Sequence, residues 1–123
     1  TIMQKFQIDG AIIVTTPQIL SLNDARRGTD MFANNQINVP IIGVIENMSW
    51  FTPLKHPNEK YYLFGEKGGT VLAEEFNVPL LCHIPMVQDI GQQSEKGESI
   101  ESLNNLQVKE IFKSLSDNVV SFF

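Results

Sequence analysis

Cysteine, histidine and basic side chains are all scarce in this 123-residue chain: one Cys, two His, and nine Lys and Arg against fourteen Asp and Glu. A lone Cys82 cannot build a disulfide framework, so a reducing cytoplasm is the expected compartment. No apolar run approaches the ~20 residues that cross a bilayer, and no charged-then-apolar leader follows Thr1, so secretion is not expected. The net charge of −5 opposes a duplex nucleic-acid partner, which asks for a basic face, and equally an anionic membrane surface. Metal ligands are short as well. Cys82 and His83 are neighbours on an expected strand and point to opposite faces, which leaves Cys82 as a small buried hydrophobe. His56 sits in a Pro-bounded loop without a Cys or carboxylate at ligand spacing. The serines lack a nucleophile-elbow context, and neither histidine has an evident Asp to orient it.

A phosphate loop is also missing. The one glycine-rich stretch, Gly65 to Thr70 (GEKGGT), lacks the Gly-Lys-Ser/Thr ending at the required spacing after a strand. It reads instead as the turn into a helix, and any phosphate grip lies outside this chain.

What is present is an apolar core: 42% of the residues are hydrophobic, enough for one domain and too apolar for a disordered chain. Three apolar runs, Ala11 to Thr15, Ile41 to Ile45 and Leu80 to Ile84, read as strands; the first two hardly alternate, as expected of strands covered on both faces of a parallel sheet. Between them the spacing of Ile19, Leu22, Ala25, Thr29 and Phe32 predicts a helix. Leu72, Ala73 and Phe76 predict a second over Gly69 to Phe76. Val108, Ile111, Phe112, Leu115 and Val119 predict a third over Asn105 to Val120. The phrase Asn-Val-Pro occurs twice, at Asn38 to Pro40 and Asn77 to Pro79. Asn tolerates the left-handed conformation that closes a helix and Pro cannot continue one, so each phrase ends a helix and starts a strand. The expected fold is α/β: a parallel sheet with right-handed crossovers and helices on both faces.

Ligands of open parallel sheets bind beyond the strand carboxyl ends. Here those ends are Thr15-Thr16-Pro17, Glu46 to Ser49 and Ile84-Pro85-Met86. Thr16-Pro17 and Ile84-Pro85 are explained by the extended geometry that precedes Pro. Asn47 is either a turn residue or an amide available to a base edge. Asn47 to Phe64 reads as a long irregular stretch holding Trp50, Phe51, Tyr61, Tyr62 and Phe64, with too few lysines (Lys55, Lys60) for single-stranded nucleic acid. It reads as a loop over the core or a protein-docking surface. The charges Asp24, Arg26 and Arg27 give a solvated helix face or a dimer contact.

Taken in order, GAIIVTTPQ from Gly10, Asp24-Ala25-Arg26, Met31-Phe32, VPIIGVIENMS from Val39, Phe64-Gly65 with Gly68-Gly69, Val78-Pro79 and Ile84-Pro85 closely resemble the carboxyl-terminal half of the Mrp/ApbC family. These are cytoplasmic P-loop ATPases related to MinD and the nitrogenase iron protein, implicated in assembling and carrying iron–sulfur clusters. The resemblance spans roughly residues 1 to 120 and implies the carboxyl-terminal part of that fold. It implies a single partial domain, 1–123, whose phosphate loop and metal-binding Asp motif precede it, with Thr1 to Gly10 resembling the stretch just after that motif. ATP and Mg belong to the intact protein, and no catalytic residue and no ATPase activity are expected of this chain by itself. Asn47 matches the asparagine that hydrogen-bonds adenine, Pro85 and Met86 the stretch bordering the base, and Asp24 and Arg26 a helix facing the partner subunit of a nucleotide-bound homodimer. Iron–sulfur clients or assembly proteins are the implied partners.

One departure is specific. Cluster-binding members carry Cys-x-x-Cys just after the Glu-Asn-Met-Ser motif, where this sequence has Pro53 and His56. Pro offers no ligand atom and one His is a weak metal candidate beside two thiolates, which argues against a cluster on this loop. The competing readings are a module that docks a client through Trp50 to Phe64, and a MinD-like partitioning ATPase. The second is weakened by a last helix that ends in Val119-Val120-Ser121-Phe122-Phe123, without the basic residues a membrane-targeting helix favours. If neighbouring strands are indeed missing, an apolar strand edge is left open and self-association is expected.

Overall fold

In the computed structural model, residues 5–34 and 38–123 are described; Thr1 to Gln4, part of the stretch likened to the segment after the Asp motif, fall outside them. Three strands, β1 (Ala11–Thr15), β2 (Ile41–Phe51) and β3 (Leu80–Met86), form one sheet in the order β1-β2-β3. Both pairings are parallel, with Ala11 opposite Ile41, Thr15 opposite Glu46, and Asn47 opposite Ile84. The crossovers carry α1 (Ile19–Ala33) and α2 (Gly68–Glu75).

These two helices share one face of the sheet. Leu22 of α1 and Leu72 and Ala73 of α2 close on Ile13 and Val44 to make the core, with Phe32, Phe76 and Leu80 packed around it. The last helix, α4 (Leu106–Phe122), takes the other face, where Ile42 and Leu81 meet its Ser121 and Phe122. Asn105 caps it by accepting the Val108 N–H, the role that Asn side chains favour. The parallel sheet with helices on both faces is as the sequence predicts. Asn38 and Asn77 adopt φ of 54° and 53°, the expected left-handed conformation. Asn77 directly follows Phe76, the cap of α2, whereas α1 already stops at Ala33 with Asn34 as its cap, so Asn38 does not close that helix.

Three boundaries differ from expectation. β2 does not stop at Ile45 but runs to Phe51, so Glu46 to Ser49 lie within a strand. Polar residues there resemble a strand end only until their partners are seen. Similarly Pro85 and Met86 belong to β3 rather than following it. The irregular loop is accordingly shorter, and it turns back on the sheet. Phe51 and Tyr61 exchange backbone hydrogen bonds of 2.8 and 2.9 Å in an isolated antiparallel bridge. Finally, α3 (Gln88–Lys96) and a single 3-10 turn (Ile100–Ser102) fill a stretch where no helix was expected. Its sequence has no apolar stripe and no buried residue. Its signals are polar: Asp89 in the first turn, Lys96 in the last, and Gly97 as a left-handed cap with φ 66°, the charge order that suits a helix dipole.

Candidate functional site

β1 ends its pairing with β2 at Thr15 opposite Glu46, so the next residue of β2, Asn47, overhangs the end of β1. The overhang opens a crevice of about 440 Å³ lined by Ile12, Val14, Thr15, Thr16, Asp24 and Asn47. Two polar groups in it are incompletely used. The Asn47 side-chain oxygen accepts the Met48 N–H at 2.9 Å, which leaves that oxygen a second lone pair and the NH2 group both of its donors. The Thr16 hydroxyl is buried and is the sole buried side-chain oxygen or nitrogen without a hydrogen-bond partner among the described residues. A buried hydroxyl left this way is costly, and a polar ligand in the crevice would relieve it. An amide with donor and acceptor in one plane suits the paired donor and acceptor on an adenine edge.

The other residues singled out by sequence fall in different places. Asp24 reaches the crevice, and its carboxylate lies 3.7 Å from the exposed Arg27. Arg26 turns the other way. Its guanidinium donates to Glu75 of α2 at 2.8 Å and to Asn23 at 2.9 Å, tying α1 to α2. Pro85 and Met86 sit across β2 from β1, and neither lines the crevice. His56 is exposed, its Nδ1 3.7 Å from Glu59. Among the described residues no three His, Cys, Asp or Glu side chains converge in a way that could hold a metal ion.

Sequence reasoning missed what lies behind Asn47. Glu46, whose side chain is only 3% exposed, places one carboxylate oxygen 2.6 Å from the Gly69 amide, which donates to it. Its other oxygen lies 3.1 Å from His83 Nδ1. The Ser49 hydroxyl donates to the Glu46 carbonyl at 3.0 Å and lies 3.3 Å from the same His83 nitrogen. His83 therefore does have a carboxylate orienter, a Glu from 37 positions away. Because Ser49 and Glu46 meet the same ring nitrogen, the three do not form a nucleophile relay, which needs one partner on each nitrogen. The carboxylate also occupies the amide end of α2, the only glycine-rich helix start among the described residues, so no phosphate is gripped there.

The aromatic loop is anchored over this network. Trp50 is buried, with ring centroids 6.1 Å from His83 and 6.3 Å from Tyr62. The Lys60 ammonium stands 4.1 Å above its ring, a cation–π contact. Tyr61 donates to Glu59 at 2.6 Å, and that hydrogen bond, with the nearby negative charge, pushes its phenol up from the usual value. Cys82 is half-buried rather than fully enclosed, and burial pushes its thiol up. Since the thiolate is the nucleophile, alkylation of the folded chain by iodoacetamide should be slow at pH 7.5. Its rate should rise only at a pH above that for a free thiol, with the unfolded chain in urea reacting about tenfold faster.

Parallel strands, crossover helices and a polar crevice at the sheet's carboxyl end define an open α/β unit of the ligand-binding kind. The chain belongs to the NUBPL iron-transfer P-loop NTPase family of the ParA group, whose model matches residues 1–120. It is 45% identical over 100 residues to the iron–sulfur cluster carrier protein of Synechocystis sp., covering 81% of this chain and 28% of that one. It is 36% identical over 121 residues to the mitochondrial iron–sulfur protein required for NADH dehydrogenase of Arabidopsis thaliana, covering 98% and 38%. The chain thus spans about a third of the length of these relatives. Among solved structures it is similar to a nucleotide-binding protein of Archaeoglobus fulgidus in complex with ADP (TM-score 0.61, 31% identity, 72% of this chain and 35% of that one). It shares its fold with the cell division ATPase MinD of Pyrococcus furiosus (TM-score 0.68, 17% identity, 94% and 44%). No helix among the described residues is long and apolar enough to cross a membrane.

Proposed function

We propose that this chain is the base-binding part of a nucleotide site in an iron–sulfur cluster carrier NTPase. The observation that carries the reading is Asn47: its carboxamide overhangs the end of β1 with two free donors, beside the unpartnered Thr16 hydroxyl. Relatives called iron–sulfur cluster carriers and a similar structure holding ADP support it. Residues 1–123 act as one partial domain. The outer side of β1 has no strand partner among the described residues, and Val14 in that strand is 58% exposed, as expected if further structure covers it.

ATP is the nucleotide of the intact protein, its phosphates and Mg held by structure beyond this chain. The crevice offers Asp24 as its one carboxylate and so no ligand set for the ion. Hydrolysis belongs to the intact protein, working as a homodimer in a reducing cytoplasm, with Asp24 and Arg26 on the helix facing the partner subunit; Pro85 and Met86, across β2 from the crevice, take no part in this reading. Iron–sulfur clusters are the cargo passed to client or assembly proteins. The residues here do not fit the cargo: Pro53 has no ligand atom, His56 is paired with Glu59, and Cys82 is a half-buried thiol on β3. Docking of a client through the aromatic loop is the weaker reading, because Trp50 is spent on contacts within the fold.

The test is adenosine binding followed by side-chain amide NMR. Adenosine should shift the Asn47 NH2 resonances, and Asn47→Ala should weaken its binding about tenfold, the worth of one good base-edge pair. Binding unchanged by Asn47→Ala would overturn the assignment.

A further inference from the structure

We propose that Glu46 is the positioning residue of this crevice: a buried carboxylate that fixes both walls at once. The inference rests on the base-binding reading only for the identity of the ligand. Glu46 and Asn47 are successive residues of β2, so their side chains leave opposite faces, one towards α2 and one into the crevice. Whatever locks the first sets the second.

The lock has two arms. On one, the carboxylate accepts the Gly69 N–H at 2.6 Å, and a Cβ on Gly69 would stand 2.7 Å from that of Glu46. A Cβ on the adjacent Gly68 would likewise stand 2.7 Å from the Cα and the carbonyl oxygen of Pro17. Glu46, Gly69, Gly68 and Pro17 therefore form a continuous chain of contacts that ends next to Thr16, on the far wall of the crevice. The other arm is His83. An ionised carboxylate only accepts, and the Ser49 proton is already given to the Glu46 carbonyl at 3.0 Å. Both neighbours of His83 Nδ1 are thus acceptors, so Nδ1 carries a proton. This pairing holds β3 against β2 at the level of Asn47, where Asn47 lies opposite Ile84. A buried carboxylate is expensive unless fully hydrogen-bonded. Here its two oxygens are divided between α2, whose start abuts Pro17 beside the crevice, and β3.

Two variants and three readouts decide it, on the full 123-residue chain. In Glu46→Ala both arms go: the Asn47 side-chain amide resonances should move, and adenosine affinity should fall at least tenfold. In Glu46→Gln the amide oxygen still accepts from Gly69 and the NH2 must donate to His83. The Asn47 resonances and adenosine affinity should return to within about threefold of wild type, while the His83 nitrogen shifts report that Nδ1 has lost its proton. Asn47 resonances unmoved in Glu46→Ala, or an unchanged His83 tautomer in Glu46→Gln, would overturn the proposal. If Glu46→Ala does not fold, the Glu46→Gln tautomer decides alone. Should the wild-type chain fail to bind adenosine, the base reading falls, and the Asn47 and His83 resonances still judge the role of Glu46.

Discussion

Gly68→Ala should lower the stability of this chain by about 2–3 kcal/mol, the scale of overpacking against something that cannot yield. The new methyl group would arrive 2.7 Å from Pro17 Cα and 2.7 Å from the Pro17 carbonyl oxygen. Both are backbone atoms, held in place where β1 ends. A flexible side chain could swing aside; a proline's main chain cannot without dragging Thr16 with it. Helix propensity works the other way, since Ala is favoured over Gly by up to ~1 kcal/mol inside a helix, and the figure already allows for that. Gly91→Ala is the control. It lies within α3 with nothing inside 4 Å of an added Cβ, so there the propensity gain stands unopposed and stability should rise by about 0.5–1 kcal/mol. Urea unfolding of the two variants beside wild type settles it: the midpoint should fall for one and rise for the other, with similar slopes. Equal midpoints would mean that the helix start does not press on Pro17.

Leu72→Ala should cost more, about 3–4 kcal/mol. Leu72 is fully enclosed, in the cluster with Ile13, Leu22, Val44 and Ala73, the one place where both crossover helices and the sheet meet. Removing its isobutyl group forfeits transfer free energy and leaves a cavity ringed by residues of four elements that cannot collapse together. Against a total of ~5–15 kcal/mol for a domain, such a loss brings the chain near unfolding at 37 °C. Leu106→Ala, in a residue that is 72% exposed, should change stability by less than about 0.5 kcal/mol. Thermal melts by circular dichroism separate the two; a small effect at Leu72 would place the core elsewhere.

How much of this was legible in advance follows the range of the interactions. The two Asn-Val-Pro phrases act through their own backbone, and both asparagines are left-handed, with φ of 54° and 53°. The Asn105 cap reaches three residues and was equally readable as the start of the last helix. Asn47 was marked by an amide after an apolar run, and it does line the crevice. The true length of β2 was not readable. Glu46 resembles a loop residue until the Gly69 amide and His83, 23 and 37 positions away, supply its partners, and Ser49 until His83, 34 positions away, meets it. The ion pair between Arg26 and Glu75, 49 positions apart, is hidden for the same reason. α3 went unseen because hydrophobic periodicity marks only helices that bury a stripe, and this one buries none. Its end caps carried the information instead.

Met48 has a consequence of another kind. Its φ of 56° is a left-handed kink inside a strand, and beyond it Ser49 and Trp50 are buried in succession, where a regular pleat would alternate. The kink resets which way each residue faces. The five positions from Glu46 to Trp50 are therefore a fixed-length device. Their side chains can drift in evolution at Met48, where left-handed geometry favours Gly or Asn, but their number cannot. One residue inserted or lost would turn the carboxylate out to solvent and the carboxamide into the core, so gaps should be absent here from any working descendant of this sequence.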